Sequence, residues 1–389
     1  MKLLSVGLIG VVGAVLNGIA SFITARSLGS SQYAAFASAV ASITILQVFA
    51  QGLQFSSLQE FRKEKKQIEK NRSNWFVREL IPIALVIGLF LALFRRNLNF
   101  TEFQSLGIFS MIFPVIILSS ISGYYLSKDD LFRYQLLSTQ VAVIRLMFSL
   151  AILAVIQKYP LVKGPAIYLG ALVAANYAIA SIKLIFLKHM LTLNSLIWKK
   201  ETLRYVLVIT VSWFLMQSDL IVINIALPPT EAGIYSAYSS IAKVLISFFA
   251  IYGLHLAGKN EGLVTLSLKL RTVAVSGVTA VGLLFVVVHF GGSLLMKVYG
   301  EEFDPSFVDI ELLYAPSVLW AVVFSLLYLR LSTIEGILFP ISLVCLTITI
   351  IFSLTVISAT ASVIYTLYSA TAVLCIILLT ASGNRIQKD

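Results

Sequence analysis

Charge is what this sequence lacks most. Only 12% of the 389 residues are Asp, Glu, Lys or Arg, while 59% are hydrophobic; a soluble domain averages about 25% charged residues. So few charges cannot cover a folded surface in water, which excludes an ordinary soluble fold and makes lipid the solvent for most of the chain. Cysteine is scarce too. Cys345 and Cys375 both fall in late apolar stretches and read as small buried hydrophobes, not as a disulfide framework. The three histidines, His189, His255 and His289, are scattered near different predicted helix ends, without the paired spacing of a metal site.

What is present is long apolar runs, with a mean hydropathy of +0.93. A helix needs about 20 residues to cross roughly 30 Å of hydrocarbon, and twelve such stretches can be read. They cover residues 3–27, 33–56, 77–94, 104–126, 134–156 and 165–187, then 203–226, 232–257, 270–290, 309–329, 337–356 and 359–381. The runs are too long for barrel strands and do not alternate, so helices are expected. The first run is longer than the 7–15 residues of a signal-peptide core and reads as a retained helix. The expected fold is an all-α polytopic membrane protein of about 12 helices, in two six-helix halves around a central cavity. The expected divisions are residues 1–190, a cytoplasmic linker at 191–202, and residues 203–389.

The net charge of +11 and a pI near 9.5 suggest nucleic acid in a soluble protein, but here they report topology. Twenty of the 29 basic residues fall on the side of the N-terminus in this map, six on the opposite side and three within spans. The positive-inside rule then places both termini in the cytoplasm, and the expected location is the bacterial inner (cytoplasmic) membrane. The densest basic run, Arg62 to Arg78, marks topology and suits anionic lipid head groups.

The chain carries one weak internal echo. Leu28-Gly29-Ser30-Ser31-Gln32-Tyr33-Ala34-Ala35-Phe36-Ala37 is matched at an offset of 199 by Leu227-Pro228-Pro229-Thr230-Glu231-Ala232-Gly233-Ile234-Tyr235-Ser236. With the polar break after Lys188, this suggests two halves of like orientation, as parallel repeats have. Arg26 to Gly29 with Gln32-Tyr33 resembles the first helix junction of polysaccharide-transport flippases in the multidrug/oligosaccharidyl-lipid/polysaccharide exporter superfamily. Asp219 with Pro228 to Ala237 is similar to that family's helix 7 to 8 junction, and Tyr299-Gly300-Glu301-Glu302-Phe303 to its external loop. One departure is Gly253-Leu254-His255-Leu256, which lacks the family's proline. The resemblance implies a flippase for the lipid-linked repeat units of O-antigen or capsule, with a polysaccharide polymerase and a chain-length regulator as partners.

Polar residues inside the spans are weighed separately. Arg145 sits mid-span, too deep for easy snorkelling. It costs about 2.5–3.5 kcal/mol on the insertion scale, which roughly a dozen large apolar neighbours returning about 4–7 kcal/mol offset. Gln135, Ser138, Ala142 and Arg145 share one helix face, expected to point toward an aqueous cavity. Lys243 lies at a similar depth, with Tyr235 and Tyr238 one to two turns away, and Asp219 is the one acidic residue of eighteen placed deep in a span. Gln47, Gln51 and Gln54 form one stripe, and Asn17, Ser21 and Thr24 another. The structural alternative pairs Asp219 with Lys243 or Arg145 and makes the amides interhelical glue. The functional alternative gives the cations to an anionic pyrophosphate and the Gln, Asn and Tyr groups to sugar hydroxyls. Asp219 is the candidate site for coupling to a proton or sodium gradient.

Two catalytic motifs are rejected. Gly253 to Asn260 fits a P-loop except at its last position, which needs a hydroxyl for magnesium. Ser240-Ile241-Ala242-Lys243 matches the Ser-x-x-Lys of penicillin-recognising enzymes, but no Lys-Thr-Gly partner exists. No cofactor is expected, and a transporter, not an enzyme. The competing functions are a cation-coupled multidrug antiporter and a membrane-embedded polysaccharide polymerase or ligase. The antiporter calls for acidic cavity residues that the first six spans lack. The polymerase or ligase usually has a large external loop, and here the longest, Gly291 to Val308, has about 18 residues.

Overall fold

A computed structural model describes residues 2–63, 100–127, 130–159, 164–186, 217, 219–221, 223–225, 227–259, 265–304, 310–330, 369–373, 375–377 and 379. The expected third and eleventh spans and the 191–202 linker lie outside these residues, as do His189 and Cys345. Among the described residues there is no strand. The helices are α1 (Lys2–Leu28), α2 (Ser30–Lys63), α3 (Glu102–Ser110), α4 (Ile112–Ser127), α5 (Leu131–Lys158) and α6 (Pro165–Phe186). Then follow α7 (Pro229–Lys259), α8 (Leu266–Tyr299) and α9 (Ile310–Arg330). Residues around Asp219 and in 369–379 are also helical. Among the described residues four segments, Glu102–Ser119, Phe132–Lys158, Pro165–Ile185 and Leu266–Leu283, are long and apolar enough to cross a membrane. The chain divides into two compact units, Met1–Gly233 and Ile234–Asp389.

In the first unit α1 lies along α5 and α2 along α4. Small residues let α1 and α5 approach. A methyl group added at Gly10 would stand 3.2 Å from Gln135 Oε1, and one at Gly13 would stand 2.8 Å from Thr139 Oγ1. The Thr139 hydroxyl donates across the seam to the Ile9 carbonyl at 3.0 Å. Residue numbers rise together on the two helices, so they run parallel, as the first and fifth spans must. The face expected to look into a cavity is covered by α1 at this level, and Thr139, not Ser138, carries the contact.

The fourth expected span is two helices. Pro114 has no N–H for the carbonyl four residues back, and its ring crowds that carbonyl; the break falls at Met111. The freed Ser110 carbonyl accepts a 2.8 Å hydrogen bond from the Tyr177 hydroxyl of α6. Around this break Ile43, Ile108, Met111, Ile112, Leu169 and Leu172 form a buried cluster that joins α2, α3, α4 and α6. Tyr177→Phe is therefore expected to lower stability by about 0.6–1.7 kcal/mol, the range of interhelical bonds in membranes, read as an earlier thermal melt in detergent. The start of α7 closes on the start of α2 in the same unit: a side chain at Gly233 would overlap the Ser30 carbonyl. The two echoing junctions of the sequence thus meet.

The second unit is organised on α7, α8 and α9, with Phe249, Ala280 and Ala321 buried together. The Ser325 hydroxyl lies at their centre. Its one proton is shared between the Phe249 carbonyl at 3.1 Å and the Ala321 carbonyl at 3.0 Å, and its oxygen accepts from Ser276 at 2.9 Å. Beside it, Gly253 faces the Ser325 backbone so closely that a methyl group there would overlap the carbonyl oxygen. The glycine of the false P-loop is thus a packing glycine in an unbroken helix. The expected external loop needs correcting. Helix α8 runs on through Gly291 and Gly292 to Tyr299 and stops at Gly300, whose φ of 113° suits glycine. A short 3₁₀ turn follows at Glu301–Phe303.

Candidate functional site

Arg145 is the centre of the candidate site. Helix α5 is amphipathic in the membrane sense: Met147, Leu150 and Val155 are exposed on its outer side, and Ala142 is fully buried. Arg145, only 9% exposed, turns inward. One guanidinium nitrogen (Nη1) donates to Asn17 Oδ1 at 3.2 Å and the other (Nη2) to Ser21 Oγ at 3.2 Å, both on α1. The spacing of Asn17 and Ser21, one turn apart, lets both side chains meet one planar group. Thr24, the third member of that stripe, instead returns its hydroxyl to the Ala20 carbonyl at 2.8 Å.

Both partners of Arg145 are neutral, and no carboxylate pairs with it among the described residues. Of the two partners expected for Asp219, Lys243 or Arg145, the second makes its side-chain bonds to Asn17 and Ser21. Asp219 is helical and buried, 5% exposed. A guanidinium has five N–H donors, and Asn17 and Ser21 take two. The remainder, with a full positive charge out of bulk water, can fork onto the oxygens of a phosphate or carboxylate.

The other candidates are dispersed. Gln47 is half-buried on α2, and Gln51 and Gln54 lie on the same helix, but their side chains are outside the described residues. In the second unit Lys243 is half-buried on α7 and Tyr235 is buried. Tyr238 is fully buried, and its hydroxyl donates to the Phe303 carbonyl at 3.2 Å. The Tyr299 hydroxyl in turn donates to the Ala237 carbonyl at 3.2 Å. Sequence reasoning missed Thr139, Gly10 and Gly13; the signal was there, as small residues at helical spacing on α1 leading up to Asn17. Among the described residues no group of His, Cys, Asp and Glu could hold a metal ion.

No protein-family model matches the sequence, and no curated protein matches it. Solved structures do match in fold. An inward-facing multidrug resistance MATE family transporter of the MOP superfamily superposes with a TM-score of 0.65 at 14% identity, over 94% of this chain and 92% of its own. The lipid II flippase MurJ in an inward closed conformation gives a TM-score of 0.65 at 13% identity, over 96% and 86%. A MOP superfamily transporter from Pyrococcus furiosus, described by a reverse polarity of its binding pocket, gives 0.55 at 12% identity, over 97% and 92%. The class is thus a multi-pass, all-helical membrane protein. Its fold is that of MOP superfamily transporters, which include both multidrug resistance transporters and a lipid flippase.

Proposed function

We propose that this chain is a flippase. It carries a polyprenyl-pyrophosphate-linked oligosaccharide repeat unit across the cytoplasmic membrane by alternating access, for O-antigen, capsule or exopolysaccharide synthesis. The observation that supports this reading is Arg145, a buried cation whose partners among the described residues are neutral. An uncompensated charge in a membrane helix is costly and is kept where a ligand of opposite sign needs it. The pyrophosphate is that ligand, half-buried Gln47 and its neighbours on α2 serve sugar hydroxyls, and the polyprenyl tail stays in lipid. Membrane lipids, a polysaccharide polymerase and a chain-length regulator are the proposed partners, and Asp219 is the proposed coupling site for a proton or sodium gradient.

The second reading, a cation-coupled drug antiporter, is favoured by the fold match to a multidrug transporter. Proteoliposomes separate the two. The flippase moves a fluorescent polyprenyl-pyrophosphate oligosaccharide between leaflets and does not export a cationic dye down an imposed ion gradient. Dye export without lipid movement overturns the proposal.

A further inference from the structure

The charge of the Arg145 site depends on one amide. Arg145 is the single charged residue between Arg133 and Lys158 on α5, and α1 has none between Lys2 and Arg26. Asn17 Oδ1 stands 3.2 Å from the guanidinium, where an aspartate oxygen of the same shape would make a charge-assisted pair. Such a pair is the ordinary way to hold a buried cation. A carboxamide orients the guanidinium equally well and cancels none of its charge. We propose that Asn17 is the specificity-determining residue of the site. Its neutrality, shared by Ser21 at 3.2 Å, keeps the site net positive and so selects an anionic head group over an uncharged or cationic one. This rests on the flippase reading and deepens it, because it assigns charge selection to α1 and not to Arg145 alone.

The test uses the full chain in detergent, with two probes, a polyprenyl pyrophosphate and the uncharged polyprenol, their binding measured by native mass spectrometry. Wild type prefers the pyrophosphate. Asn17→Asp lowers pyrophosphate affinity about 10- to 100-fold, the range of one charge-assisted contact, and brings it down to that of polyprenol. Its melting temperature stays at or above that of wild type, because the new carboxylate meets a waiting cation. Asn17→Ala, which removes the orienting bond but adds no charge, costs about two- to tenfold and keeps the preference for pyrophosphate over polyprenol. Equal losses in Asn17→Asp and Asn17→Ala overturn the inference, since Asn17 then acts through its hydrogen bond and not through its charge. Failure of Asn17→Asp to fold overturns it as well. If Arg145→Ala abolishes the preference while Asn17→Asp keeps it, this inference falls and the flippase reading stands. If wild type binds both lipids alike, the flippase reading falls first.

Discussion

Arg145→Met is expected to reduce lipid translocation in proteoliposomes by at least about 100-fold while leaving the protein no less stable to heat. The two halves of this result have one cause. Removing the guanidinium removes the charge that holds a pyrophosphate, worth about 1.5–3 kcal/mol for each charged hydrogen bond, and a forked contact has two. It also removes a buried cation that costs about 2.5–3.5 kcal/mol to place mid-helix. Against that gain stand the freed acceptors of Asn17 and Ser21, which are half-buried and can turn toward water or a neighbouring donor, at about 1 kcal/mol each. Methionine fills the volume of the aliphatic stem without strain. A residue kept only for structure gives the opposite pattern, in which melting temperature falls and transport falls with it. Fluorescence scans of the purified variant and a leaflet-exchange assay check both signs.

Gly253→Ala is expected to cost about 3 kcal/mol, enough to remove most folded protein from detergent extracts. The added methyl group would stand 2.9 Å from the Ser325 carbonyl carbon and 3.0 Å from its Cα, and closer still to the oxygen. These are backbone atoms, so no rotamer change relieves the overlap; α7 and α9 must separate. Separation also breaks the bond from Ser325 of α9 to the Phe249 carbonyl of α7. Overpacking alone costs about 1–3 kcal/mol, and the lost buried bond adds to it. A melt within about a degree of wild type would mean that α7 and α9 do not need their close approach. Gly282, where an added methyl group meets nothing within 4 Å, supplies the comparison. An alanine there should be neutral or slightly stabilising.

Several features were legible in the sequence because they depend on single elements. Apolar runs marked helices, and the ends of α5 and α9 fall within a few residues of expectation. The 4-residue step from Asn17 to Ser21 predicted a polar stripe, and Arg145 stood out by its depth alone. What was not legible depends on residues far apart in sequence. Nothing near Ser110 announces that Tyr177 will supply the hydrogen bond that Pro114 removes. Gly291-Gly292 after an apolar run is an ordinary stop signal, yet α8 overrides it for two more turns. The helix ends at Gly300, just after Tyr299 has reached the Tyr238 ring, with centroids 6.5 Å apart. Tyr238 itself read as a cavity residue because a sequence does not disclose which hydroxyls the backbone has already taken.

That last contact has a mechanical side. Tyr238 reaches from α7 to the turn after α8, and Tyr299 reaches back from α8 to α7. The two bonds cross like the arms of a clasp, with Phe303 wedged against Tyr299 at 5.3 Å. A connector fastened in both directions has no slack to give out. Within the second unit, the turn of α7 at Ala237 and Tyr238 and the end of α8 travel together as one strut, and any bending has to occur elsewhere along their length.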